Sequence, residues 1–319
     1  MRRANDIGRI VRPAHERYSR AAGKYPFDAM ADQFWERTVG GHFVLPKRTF
    51  WPSFFSKLVA RLQWNPAAID LTQDARAWSE LPAERRRRLM TLFAGFRVAE
   101  DAVSEHITPF ADVAREATLA SHESLMAWVF FLQRRDENRH AQWFDRIAAE
   151  VLGLPGDTPA ERREAARSHV PAAVLELFEV RLPAMAAELS AGRAGLGEGV
   201  ALYHMVLEGI VFDAAHHALR IDLADDALPG VREGVERVEL DERWHVGFGL
   251  RCLVEAQPSR DSLDELLARA DEAAAAWGDV LPDETREYIA DACHHRLVAV
   301  GLIEPHGAAE RAVRRAPAA

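Results

Sequence analysis

A chain of 319 residues, 48% hydrophobic and 28% charged, is long enough for one large core and has the composition of an ordinary folded protein. Its formal net charge of -9 argues against a nucleic-acid surface as its main business, and two cysteines are too few for a disulfide scaffold. The first residues lack the apolar run of a signal peptide and no stretch approaches the ~18 apolar residues of a membrane helix, so a cytoplasmic protein is expected.

Prolines and aromatics between Pro26 and Leu62 predict an arm over residues 1–62 that wraps the core and ends in a short helix near Phe54–Leu62. Trp64 reads as packing, and Pro66 and Asp70 as turn signals. After Leu81-Pro82, AERRRRLMTLFAGFRVAEDAVSEHI predicts a long helix that is solvated at Arg85–Arg88, carries Glu100 in an apolar stretch, and ends or kinks at Pro109. A second helix, over Thr118–Val151, carries Glu137 and His140 and is closed by the turn at Gly153–Gly156. Asp157-Thr158-Pro159 caps the next, and Leu175–Leu189 follows. Glu198–Leu223 carries Tyr203 and Glu208, and Val231–Glu255 carries Glu242 and His245. Ser262–Ala276 and Pro282–Ile303 complete the pattern before a loose tail over 304–319. With no strand pattern, repeat or Gly-rich phosphate loop, the chain reads as one all-α domain over 1–319. Its core covers 81–256 and its additional helices 262–303. Cys252 and Cys293 read as buried small hydrophobes.

The chemistry lies in the order of the acids. Glu137 with His140, and Glu242 with His245, stand at i and i+3 and therefore share a helix face. A lone E-x-x-H is common by chance, but here each follows a solitary glutamate on the preceding long helix. Glu100 to Glu137 spans 37 residues and Glu208 to Glu242 spans 34. This is the ligand set with which four-helix bundles hold two metal ions between facing helices. Four carboxylates match the charge of two divalent ions, so a cluster too costly for an empty apolar core becomes neutral when loaded. Oxygen-rich coordination with one nitrogen per ion suits iron or manganese. Asp241 is placed to hold the second nitrogen of His140, and Asp136 that of His245; solvated acids are the alternative. Phe130, Phe131, Trp143, Phe144, Phe212 and Phe248 would line an apolar interior and favour a greasy substrate.

The series KLVARLQWNPAAIDLTQD, VAEDAV with Glu100, DENRH with Glu137 and His140, YHMVLEG with Tyr203 and Glu208, and LDERWH with Glu242 and His245 resembles the ribonucleotide reductase small-subunit superfamily. Within it the chain is most similar to the ligand-binding oxidases that assemble a mixed manganese/iron cofactor. The resemblance implies a ferritin-like helical bundle with extra helices around a dinuclear metal core. It implies one Mn held with Glu100 and His140, one Fe on the His245 side, and an Fe/Fe pair as the alternative. It also implies reaction with dioxygen, a tunnel for a long-chain fatty acid, an ether crosslink between Val103 and Tyr203, a homodimer, and an unnamed electron donor. The chain departs from these oxidases at His216 and His217, which stand where a pair of tyrosines is usual; either they alter proton delivery or the ligand, or they face a polar cavity or solvent. A reductase small subunit with a metal-based radical, a di-iron oxygenase, an iron store and a non-enzymatic scaffold are the competing readings. Phe144 stands at the radical-tyrosine position, and the tail GAAERAVRRAPAA has no aromatic relay.

Overall fold

The computed structural model of the chain describes residues 51–116 and 123–304; the expected arm before residue 51 and the tail beyond 304 lie outside them. Every regular element among the described residues is helical. Helix α1 spans Trp51–Arg61 and α2 spans Thr72–Trp78, the latter entered through Asp70, whose side chain accepts the Thr72 N–H at 2.9 Å. Helix α3, Ala83–His106, gives way to α4, Thr108–Glu116, which takes Pro109 in its first turn. A proline there costs no hydrogen bond, so the chain bends and starts again. Helix α5, Glu123–Arg146, runs into a π turn over Ile147–Val151. Thr158 and Glu161 form a reciprocal capping box at the start of α6, Pro159–Arg167.

Helix α7, Ala172–Leu175, a π segment over Glu176–Arg181 and α8, Leu182–Ser190, then lead to α9, Leu196–Val200. The helix expected over Glu198–Leu223 is α-helical only at its ends. Ala201–Phe212 is a π-helix, followed by α10, Asp213–Asp222. Helix α11 spans Pro229–Ala256, α12 Arg260–Ala274 and α13 Asp283–Ile289. The described residues up to Ala290 form one compact unit, whereas α14, Ala292–Ala299, belongs to another, so the pattern expected as one helix over Pro282–Ile303 is divided.

In the first unit α3 packs along α5, the π-helix packs along α11, and contacts of α10 with α3 and of α11 with α5 close a four-helix bundle. Two glycines set its tightness. A Cβ at Gly234 would overlap the Trp143 ring, and one at Gly249 would overlap the His204 ring, so both let α11 approach its neighbours more closely than any other residue would. The basic start of α3 is less solvated than its composition implies: Arg85 pairs with Asp225 at 2.6 Å and Arg88 with Asp222 at 2.5 Å, tying α3 to the end of α10. Phe131, expected inside, is 47% exposed and stacks on Trp128 at 5.2 Å. One residue's rotation about α5 separates it from buried Phe130 and places it on the outer stripe. No helix among the described residues is long and apolar enough to cross a membrane.

Candidate metal centre

Four helical segments deliver the acids and imidazoles to one place: α3 brings Glu100, α5 Glu137 and His140, the π-helix Glu208, and α11 Glu242 and His245. They form two overlapping sets, Glu100, Glu137, His140 and Glu242 on one side and Glu137, Glu208, Glu242 and His245 on the other. His140 Nδ1 lies 3.5 Å from Glu100 Oε2, 3.4 Å from Glu137 Oε2 and 3.2 Å from Glu242 Oε1. His245 Nδ1 lies 3.1 Å from Glu137 Oε1, 3.3 Å from Glu208 Oε1 and 3.6 Å from Glu242 Oε2. Glu137 and Glu242 thus turn one oxygen to each imidazole, the arrangement of bridging carboxylates, whereas Glu100 and Glu208 each serve one side.

Whether these residues suit a metal pair is decided by their buried polar atoms. Both carboxylate oxygens of Glu100 and Glu242, Oε2 of Glu137 and of Glu208, and Nδ1 of both histidines are buried without a hydrogen-bond partner. Leaving one buried polar atom unpaired costs about 1–3 kcal/mol, and more for a charged one. So many converging on one point would be prohibitive in an ordinary core, and two divalent cations satisfy them together; the donor set fits a dinuclear metal centre. Without ions, protons take their place. Burial pushes the Glu100 carboxyl well above its usual range and the Glu208 carboxyl up to about 8. At His140 and His245 the surrounding carboxylates outweigh burial and raise both imidazoles well above their ordinary value. Glu242 stays low because, against burial, the charges of His245 and His140 hold it ionised.

The two halves are surrounded differently. His140 Nε2 donates to Asp241 Oδ2 at 3.1 Å, so Nδ1, facing the carboxylates, is the nitrogen that offers a lone pair once its proton is released. The same Asp241 oxygen accepts from Arg139 Nη2 at 2.8 Å and from Trp64 Nε1 at 2.9 Å. Arg139 also pairs with Asp136 at 2.7 Å. Asp136 Oδ2 faces His245 Nε2 at 3.9 Å, beyond hydrogen-bond length, and neither atom has a hydrogen-bond partner. On the other half the neighbours that hydrogen-bond to the ligands are uncharged. Tyr203 donates its hydroxyl to Glu137 Oε1 at 2.7 Å, and burial with the nearby carboxylates keeps the phenol protonated. Gln133 Nε2 reaches Tyr203 OH at 3.0 Å, Glu208 Oε1 at 3.0 Å and Glu137 Oε1 at 3.3 Å.

Val103 is buried on α3 one turn beyond Glu100. His216 and His217 part company. His216 packs its ring 4.6 Å from that of Phe96 and makes no hydrogen bond, so burial holds it neutral, with its pKa lowered to about 4. His217 turns to α13, where Nδ1 meets Thr285 Oγ1 at 2.9 Å and the ring stacks on Tyr288. Gln133, His204 and Arg139 are not among the residues that the sequence pattern singles out, and Trp64 reads there as packing. Gln133 had a local signal, since it stands four residues before Glu137 on the same face of α5. Arg139 and Trp64 had none, because Asp241 reaches them only across helices.

No protein-family model matches this sequence. Solved structures do resemble it. A point variant of an R2-like ligand-binding oxidase with anaerobically reconstituted Mn/Fe cofactor superposes with a TM-score of 0.65 at 21% identity, covering 79% of this chain and 94% of that one. A second variant, aerobically reconstituted with Mn/Fe, gives 0.62 at 22% identity over the same shares. A third, also aerobically reconstituted, gives 0.62 at 21% identity over 80% and 98%. The likeness establishes the fold: an all-α, ferritin-like bundle of the ribonucleotide reductase small-subunit type, with extra helices.

Proposed function

We propose that this chain is a dioxygen-activating oxidase whose centre holds one manganese and one iron, the former with Glu100 and His140, the latter with Glu208 and His245, and Glu137 and Glu242 between them. The observation that carries this reading is the convergence of unpartnered buried carboxylate and imidazole atoms in two sets that share two residues. The structural likeness to oxidases reconstituted with Mn/Fe supports the choice of metals. A reduced metal pair at this position supplies the electrons and the oxidising power for reaction with dioxygen.

The chain's own residues position the reacting groups. The hydrogen bond to Glu137 aims the Tyr203 hydroxyl at the ligand cluster, and deep burial excludes water. Val103 offers the aliphatic carbon for an ether link to Tyr203. That bond removes one hydrogen from Val103 and the hydroxyl hydrogen of Tyr203, a two-electron oxidation with dioxygen as acceptor. We assign an apolar ligand of the long-chain fatty acid kind, in keeping with buried Phe130, Phe144, Phe212 and Phe248 and with the ligand-binding oxidases of similar fold. A homodimer and an external electron donor complete the reading.

Loading metal-free protein with equal Mn(II) and Fe(II) in air, followed by metal analysis, tests it. About one of each per chain is expected. Two irons and almost no manganese make it a di-iron oxygenase, and near-zero metal returns the bundle to a scaffold.

A further inference from the structure

Gln133 is fully buried on α5, and its carboxamide stands between two groups of opposite need. One end faces three acceptors, the oxygens of Tyr203, Glu208 and Glu137. The other end, Oε1, lies 3.1 Å from His204 Nε2. Tyr203 spends its own hydrogen on Glu137, so it can only accept from Gln133. The amide orientation is therefore determined: nitrogen toward the acids and oxygen toward His204. The imidazole must then carry its hydrogen on Nε2, and burial, aided by the charge of His245, keeps it neutral. His204 itself cannot swing away. Tyr203, Phe130 and Phe248 surround its ring at 4.4, 5.8 and 6.0 Å, and Gly249 closes the remaining side.

This arrangement depends on the π-helix. In an α-helix, residues five apart point about 140° away from each other. The i→i+5 ladder of Ala201–Phe212 instead returns Tyr203 and Glu208 to nearly one face, where a single carboxamide reaches both at 3.0 Å.

We propose that Gln133 is a positioning residue for the Glu208/His245 half of the centre, locked in orientation by His204 and holding Glu208 and the Tyr203 hydroxyl in place for the second ion. The inference rests on the metal reading above. It assigns a selective role, because Gln133 makes no hydrogen bond to Glu100 or His140, and the Glu137 oxygen it meets, Oε1, is the one turned to His245.

Stepwise Mn(II) binding to the full chain, followed by calorimetry, tests it, with Glu100→Ala and Glu208→Ala identifying the two steps. Gln133→Met, close in shape but without a donor, should weaken the step lost in Glu208→Ala by about ten- to a hundredfold and leave the other unchanged. His204→Leu should weaken the same step by a smaller factor, and the double variant should be no worse than Gln133→Met alone. An unchanged second step in Gln133→Met, equal weakening of both steps, or additive losses in the double variant each overturn the role. If Gln133→Met does not fold, His204→Leu decides: a selective loss supports the inference and no loss overturns it. Wild-type protein that binds fewer than two divalent ions with Fe(II) supplied alongside Mn(II) in the absence of oxygen overturns the metal reading itself and this role with it.

Discussion

The His140 and His245 halves carry the same local pattern, a glutamate and an E-x-x-H, yet they stand in unlike surroundings. Behind His140 lies a charged relay in which one Asp241 oxygen accepts from the imidazole, from Arg139 and from Trp64. Beside His245 lie a phenol, a carboxamide and a neutral imidazole, and its nearest outer carboxylate, on Asp136, stops at 3.9 Å. An anionic partner raises the basicity of a ligating histidine, whereas neutral donors draw charge from ligating carboxylates. Identical ligands can thus offer two different sites, and the surroundings provide a physical basis for holding two different metals.

The largest test of that comparison removes what the halves share. Glu242→Ala takes an oxygen from both sets and should reduce metal content from about two ions per chain to about none, whereas Glu208→Ala should retain about one. Metal analysis after gel filtration reads the difference, and equal losses would erase the distinction between bridging and terminal acids. Asp241→Asn attacks only the charged half. It weakens the buried Arg139 pair, which should cost up to about 3 kcal/mol in thermal unfolding of the metal-free protein. It should also weaken the ion at Glu100/His140 about tenfold or more while sparing the other.

The acidity of the site sharpens the comparison further. Glu208, with its pKa raised to about 8, and His140 and His245, both raised well above the ordinary imidazole value, hold protons in the metal-free protein near neutrality and must release them to bind metal, and the Glu100 carboxyl is shifted in the same direction. Metal affinity should therefore rise with pH, by up to about tenfold per unit for each proton released, and calorimetry in buffers of different ionisation heat should register that release. Glu242, held ionised throughout, contributes nothing to the slope. A pH-independent affinity would contradict this proton inventory.

The smallest effects belong to single hydrogen bonds. Tyr203→Phe should abolish the proposed Val103–Tyr203 crosslink in intact-mass and peptide spectra, leave metal content unchanged, and cost about 1 kcal/mol through the lost bond to Glu137. Trp64→Phe should cost no more than that, on the opposite half.

Much of this protein was legible along the chain because much of its information is local. Helical periodicity, proline and glycine punctuation and the capping box at Thr158 act within a few residues, and i,i+3 spacing alone puts Glu137 beside His140 and Glu242 beside His245. The sequence by itself therefore determined an all-helical bundle with six candidate ligands on four helices. What it left open depends on contacts between helices and on backbone geometry. Which acids turn toward both imidazoles follows from how α5 and α11 face each other. The π register that brings Tyr203 and Glu208 to one carboxamide breaks the 3.6-residue period on which the sequence was read. His216 and His217, adjacent in sequence, end in an aromatic core and on Thr285 because neighbours on one helix point about 100° apart, and only the packed partners decide what each direction meets.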